Sequence, residues 1–386
     1  MSESAAVALL EQLQRASYET WHLTPPTDEP EFQQFTDDFV VRFIETRFPE
    51  ESPEERAGRV AEALAEMKGW SPLTRYEDPG WRALMIQFAA DIRESAAEAN
   101  FSVSPEPVLG TLPTGQVNAK TVLVPQSGDH LVLFEWQMFL FALLFSKAIC
   151  RAMPMEGRDG GFLLFSVDEA KVRQRIDEDP SIAHRFIDLI VAYAVTGLPG
   201  RAKSYLVEPQ YAGPSDLLRR SMELFVLAHE YGHVGLGHLS AAARAEEANL
   251  SGAEVIAYSW QQEREADAVG LNLMLRAMMR SGMDAALSYW GADAYFSAID
   301  VMRNAVAVLR TGTEAPAASA THPPSTERRT FLRAVLPQMI GEEDAHGAID
   351  LGRQIELITE LLWNRARAVL IELHERGVRP AAWWLG

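Results

Sequence analysis

The chain has almost no cysteine: Cys150 stands alone among 386 residues. No disulfide framework is possible, and a reducing compartment is expected. Basic residues are also scarce, 35 Lys and Arg against 54 Asp and Glu, a formal net charge of −19. A surface with that balance repels a phosphate backbone, so nucleic acid is not expected as a partner. Uninterrupted apolar runs are short. The longest candidate, residues 131–150, reads LVLFEWQMFLFALLFSKAIC and is broken by Glu135, Gln137 and Lys147. A spanning helix needs about 20 apolar residues, so a strand end followed by a buried helix is expected there, without membrane insertion. The first residues, Met1-Ser2-Glu3-Ser4-Ala5-Ala6, carry neither the basic flank nor the apolar stretch of an export signal. A soluble, cytoplasmic chain is the expectation. Gly110 and Gly115 have the spacing that opens a phosphate loop, but Gln116 stands where that loop needs lysine, which excludes nucleotide binding of that kind.

What is present is ordinary globular material, 47% hydrophobic and 23% charged, in a chain long enough to bury a large core. Helical periodicity runs through residues 5–16, 31–48, 52–68 and 81–99. The third of these opens well: Ser52 can cap it, Pro53 suits the first turn, and Glu55 completes a capping box. From residue 105 the pattern changes to short extended runs, 107–112, 116–125 and 130–134, with turns at Gly115 and Ser127-Gly128-Asp129. These predict a small antiparallel sheet. A helix over 135–153, a strand over 161–167 and a helix over 180–195 follow. Pro214 is then expected to start a long helix with Ser215 as its cap. Helices over 253–280 and 284–310, a small-residue linker over 311–320, helices over 326–340 and 348–376, and an apolar tail complete the chain. The expected fold is α+β and mainly helical. Its parts are an N-terminal helical region (1–104), a zincin-like metallopeptidase core (105–310), a linker (311–325) and C-terminal helices packing on the core (326–386).

The chemistry is concentrated in residues 221–239, SMELFVLAHEYGHVGLGHL. Within them His229-Glu230-Tyr231-Gly232-His233 is an HExxH pattern. Positions four apart share a helix face, so the two imidazoles can meet one metal ion, and Glu230 is held where it can take a proton from water there. Catalytic zinc usually keeps three protein ligands and one open position. Gln262-Glu263-Arg264-Glu265-Ala266-Asp267 offers the third. Glu263 and Asp267 share a helix face while Glu265 points elsewhere. Glu263 is the expected ligand, and Asp267 is placed to accept a ring N–H from a ligand histidine. His238 falls one position short of the third histidine in HExxHxxGxxH, where this chain has Leu239. It is expected to act locally at the helix end. Two imidazoles and a carboxylate suit zinc best.

The order of His229-Glu230-x-x-His233, Glu263-x-x-x-Asp267 and Thr321-His322-Pro323-Pro324-x-x-x-Arg328 resembles the CAAX prenyl protease and HtpX-type metallopeptidases, which are gluzincins. Val117-Asn118-Ala119, followed by a glycine turn and an apolar strand, resembles the segment before that family's first metal helix. The metal blocks are also similar to those of ImmA/IrrE-type and, more loosely, Lit-type peptidases. The likeness implies that His322 and Arg328 lie near the site, His322 helping to stabilise an oxyanion. From the residues alone, His322 could equally start the next helix and Arg328 could be a structural ion-pair partner. The family's membrane-bound members have spanning helices with no counterpart here, which implies a soluble relative.

These features lead to the expectation of a zinc metalloendopeptidase acting on a protein or peptide substrate, with Glu230 as general base. One alternative is a regulatory, partner-directed zincin whose residues 1–104 recognise a single target. The other is a non-catalytic metal-binding scaffold.

Overall fold

The structure, a computed structural model, describes residues 4–25, 40–41, 44–45, 48, 51–68, 72–115, 117–125, 127–159, 162–240, 252–315 and 323–384. The expected helix over 31–48 and the expected linker lie largely outside the described residues. Helix α1 (Ala5–Thr20) is capped by Ser4, whose Oγ accepts from the Val7 N–H at 3.2 Å. Its buried residues Ala6, Leu10, Gln14 and Tyr18 recur every four positions, a single helical stripe. Helix α2 (Pro53–Lys68) opens with the expected reciprocal cap: Glu55 N–H donates to Ser52 Oγ at 3.2 Å, and Ser52 N–H to Glu55 Oε2 at 2.8 Å. Helix α3 (Pro79–Glu98) is capped by Asp78 and has proline in its first turn.

Strands β1 (Val108–Leu112), β2 (Ala119–Leu123) and β3 (His130–Glu135) form one sheet in the order β1-β3-β2. The sheet is mixed, which corrects the antiparallel expectation: β3 pairs parallel with β1 (Leu109 opposite Val132) and antiparallel with β2 (Thr121 opposite Val132). The reason is visible in the burial of β3. All six of its residues are buried; Leu131 and Leu133 face Leu10 of α1, while Val132 and Phe134 face the main core. A strand covered on both faces belongs in the middle of a sheet. β3 therefore separates β1 from β2 and leaves β2 at an edge.

Helix α4 (Gln137–Ala152) is the buried helix expected after β3. A two-stranded antiparallel hairpin follows, β4 (Met155–Asp159) with β5 (Phe162–Phe165). The sequence MEGRD of β4 has no strand signature, and a bulge lies beside Gly157, at φ +146°. Helices α5 (Glu169–Glu178) and α6 (Pro180–Thr196) lead to α7 (Pro209–Gly235), α8 (Gly252–Arg280), α9 (Ala285–Thr311), α10 (Ser325–Ile340) and α11 (Glu342–Glu375). Helix α7 begins at Pro209 instead of Pro214, and Ser215 does not cap it. Pro214 lies inside the helix, and Ser215 Oγ donates back to the Tyr211 carbonyl at 2.7 Å. A proline this near the start removes a single intrahelical bond, and the Pro209 ring suits the first turn better.

Met85, Phe88 and Ile92 of α3 share one core with Leu224 and Phe225 of α7, Trp290 and Phe296 of α9, Leu332 of α10 and Ile355 of α11. Phe225 packs edge-on against Tyr295 and Phe296 with centroids 5.8 and 5.7 Å away. The C-terminal tail docks on the end of α6, where Trp384 Nε1 donates to the Tyr193 carbonyl at 3.2 Å. Among the described residues no helix is long and apolar enough to cross a membrane.

Candidate metal centre

Helix α7 is buried without interruption from Ser221 to Gly232, so the HExxH residues sit on a helix enclosed on all sides. α8 crosses it at two glycines. A Cβ on Gly270 would come 2.8 Å from the His229 backbone nitrogen, and one on Gly232 would come 3.0 Å from the Ala266 carbonyl oxygen. Backbones this close bring side chains one turn away from each helix into direct contact. The two helices therefore present His229 and His233 on one side, and Glu263 and Asp267 on the other.

The three expected ligands converge. Their donor atoms all lie within 4.8 Å of one another. His229 Nε2 is 3.1 Å from His233 Nε2 and 3.7 Å from Glu263 Oε2; His233 Nε2 is 3.5 Å from Glu263 Oε1. Bonds of about 2.0–2.1 Å at tetrahedral angles would place neighbouring donors about 3.3 Å apart. The two imidazole nitrogens, and one Glu263 oxygen near each of them, are close enough for the three side chains to share one metal ion. No other His, Cys, Asp or Glu among the described residues joins the group.

Asp267 lies where the sequence placed it. Its Oδ1 is 2.9 Å from His229 Nδ1, approaching off the line of the ring N–H. Arg328, from the first turn of α10, grips the same carboxylate with Nε at 2.7 Å and Nη2 at 2.6 Å, and reaches Glu263 Oε2 with Nη1 at 3.3 Å. Its guanidinium also sits 4.8 Å above the Phe296 ring. Burial works to raise the Asp267 carboxyl, but Arg328 and then His229 outweigh it and hold Asp267 below the ordinary carboxylate range. For His229 burial works against the charged ring; Asp267 and Glu263 overcome it, and the imidazole sits above its ordinary pKa. The arginine that the likeness placed near the site is thus a bidentate partner of Asp267. His322 lies outside the described residues.

Two features were not foreseen, and a third, His238, acts locally at the helix end as expected. Thr121, on the edge strand β2, donates from Oγ1 to Glu230 Oε2 at 2.7 Å, so the sheet edge and the HExxH glutamate are joined directly. Tyr295 of α9 is buried near Glu230, Arg328 and Glu263; burial raises its hydroxyl pKa, Arg328 opposes that shift, and Glu230, Asp267 and Glu263 add to it. His238 packs against His233 with its side chain only 7% exposed, and burial, then His233, lower its pKa.

Compared with models of protein families, with curated proteins and with solved structures, the chain has no match in any of the three. The chemistry of the site therefore rests on its own geometry. A cleft of about 420 Å³ lies along α9, bounded by Asn118, Tyr295, Met302, Pro323, Arg328 and Trp384. Through Arg328 and Tyr295 it adjoins the ligand group, and through Asn118 it adjoins the edge strand.

Proposed function

We propose that this chain is a zinc-dependent endopeptidase of gluzincin type, similar in its site to the CAAX prenyl protease and HtpX-type metallopeptidases, acting on a protein or peptide substrate. The observation that carries the reading is the convergence of His229, His233 and Glu263 within reach of one ion, with Glu230 next to the first of them in the chain and no fourth protein donor among the described residues. A structural zinc site fills its fourth position with protein; a catalytic one leaves it for water or substrate.

In this reading His229, His233 and Glu263 hold the ion, which when bound acts as a Lewis acid on water and on a peptide carbonyl. Glu230 takes a proton from the attacking water and returns it to the leaving amine. Thr121 Oγ1 holds the Glu230 carboxylate toward the sheet edge. The outer edge of β2 has no strand partner among the described residues, and an extended substrate pairing there would pass its backbone across Glu230. The cleft along α9 would take a substrate side chain, and Ile299, Met302 and Val306 in its wall favour an apolar one.

Glu230→Gln is the direct test. Purified with zinc, wild type and Glu230→Gln should each hold about one ion per chain, while only wild type cleaves an unfolded protein substrate such as casein. His233→Ala and Glu263→Ala should lose the ion. Cleavage retained by Glu230→Gln would overturn the reading.

A further inference from the structure

Helix α7 ends in a turn that folds the chain back over its own last histidine. Gly237 takes the left-handed conformation, φ +71°, where glycine has no steric penalty. Its N–H donates to the Val234 carbonyl at 3.1 Å, and the His238 N–H donates to the His233 carbonyl at 3.1 Å. This is the Schellman arrangement, in which the second residue past the cap lies over the residue five before it. An apolar contact usually fills that space. Here it is filled by two imidazoles, His233 and His238, with centroids 5.0 Å apart and planes at 71°.

The side chains continue into a chain of contacts. His233 Nδ1 is 2.9 Å from His238 Nδ1, and His238 Nε2 is 3.1 Å from Glu265 Oε2. Gln261 Nε2, one turn earlier on α8, donates to Glu265 Oε1 at 2.8 Å and holds that carboxylate in place. The direction of every proton follows from the end of the chain. A carboxylate only accepts, so His238 must carry its proton on Nε2. A neutral imidazole then has a lone pair at Nδ1, which accepts from the Nδ1–H of His233. His233 is left with its lone pair on Nε2, the atom that faces His229 and Glu263.

We infer that His238 and Glu265 form a positioning relay that fixes the tautomer and ring orientation of His233 as a metal ligand. The inference rests on the metal reading of the site. His238 is not itself a ligand, because it meets the ring nitrogen of His233 opposite the one at the ligand group. The two ligand imidazoles are thus braced by two carboxylates of the same helix: His229 directly by Asp267, His233 through His238 by Glu265. Removing such outer partners typically weakens metal binding about 10- to 100-fold.

The test combines zinc affinity, measured by chelator competition, with the histidine tautomers of the metal-free protein, read from long-range ¹H–¹⁵N NMR spectra. His238→Ala should weaken zinc binding about 10- to 100-fold. In His238→Gln the amide oxygen can accept from His233 and the amide NH₂ can donate to Glu265, so affinity should return to within about threefold of wild type. The metal-free wild type should show His233 protonated at Nδ1 and His238 at Nε2. Zinc bound equally well by wild type and His238→Ala, or the reverse tautomer at His238, would overturn the relay while leaving the metal reading intact. A wild type that takes up no zinc under replete conditions would overturn both.

Discussion

Replacing Arg328 by methionine keeps an unbranched apolar chain and removes the guanidinium, with its contact over the Phe296 ring, which leaves Asp267 stranded at 0% exposure. The magnitude follows from the geometry. Two charges about 4 Å apart attract by about 4 kcal/mol at an effective dielectric of 20, and breaking a buried pair from one side costs about 3–5 kcal/mol. Arg328→Met should therefore lose about 3–5 kcal/mol in urea unfolding of the chelator-treated protein at pH 7. The pH dependence provides a second check. In wild type the Asp267 carboxyl is held below 3.8, so its stabilising contribution is complete above that value and is lost as pH falls through the folded pKa. Without Arg328, burial acts unopposed and raises Asp267, so the variant gains relief by protonation as pH falls. The difference between wild type and variant must shrink from pH 7 to pH 4. Adding Asp267→Asn to the variant removes the stranded charge and should recover roughly 0.5–3 kcal/mol. A loss under about 1 kcal/mol at pH 7, or one that does not change with pH, would refute the assignment of Arg328 as the counter-charge of the buried carboxylates.

Gly270→Ala places a methyl 2.8 Å from the His229 nitrogen; overpacking of this kind costs about 1–3 kcal/mol, and by pushing α8 from α7 it should also weaken zinc binding, whereas unchanged affinity would show that the helix crossing does not set the ligand spacing. Glu135, buried at the end of β3, is pushed by burial up to about 8. The folded protein therefore retains a proton that the unfolded chain has released, and stability falls as pH rises from 4.5 toward about 8. Glu135→Gln should gain stability over wild type at pH 8 by a few kcal/mol and much less at pH 4.5; equal differences at the two pH values in urea unfolding would contradict the raised pKa.

Local order in the chain was enough to place most helices and the candidate ligands they carry. His229 and His233 are four apart inside a run of apolar residues, and Glu263 and Asp267 are four apart on a second helix, so the helical period alone put each pair on one face. The Ser52–Glu55 cap and the strand spans of β1 and β3 were similarly local. Sheet order was not local. β3 lies between β1 and β2 because α1 and the main core cover its two faces, and no turn residue records that arrangement. Nor did the sequence reveal β4, whose MEGRD composition becomes a strand only by pairing with β5.

The candidate site divides in the same way. The sequence by itself determined which residue types stand one helical turn apart, and hence which side chains could hold a metal and which glutamate could serve as its base. The tertiary structure decided what surrounds them. Thr121 reaches Glu230 from 109 positions away in the chain, and Arg328 reaches Asp267 from 61. His238 was close in sequence, yet its partner Glu265 lies on another helix, and the Gly237 turn that aims it can be recognised only once the end of α7 is fixed. Periodicity encodes neighbours along one helix; the close approach of α7 and α8 at Gly232 and Gly270, which brings the two carboxylates to the two imidazoles, is a property of packing.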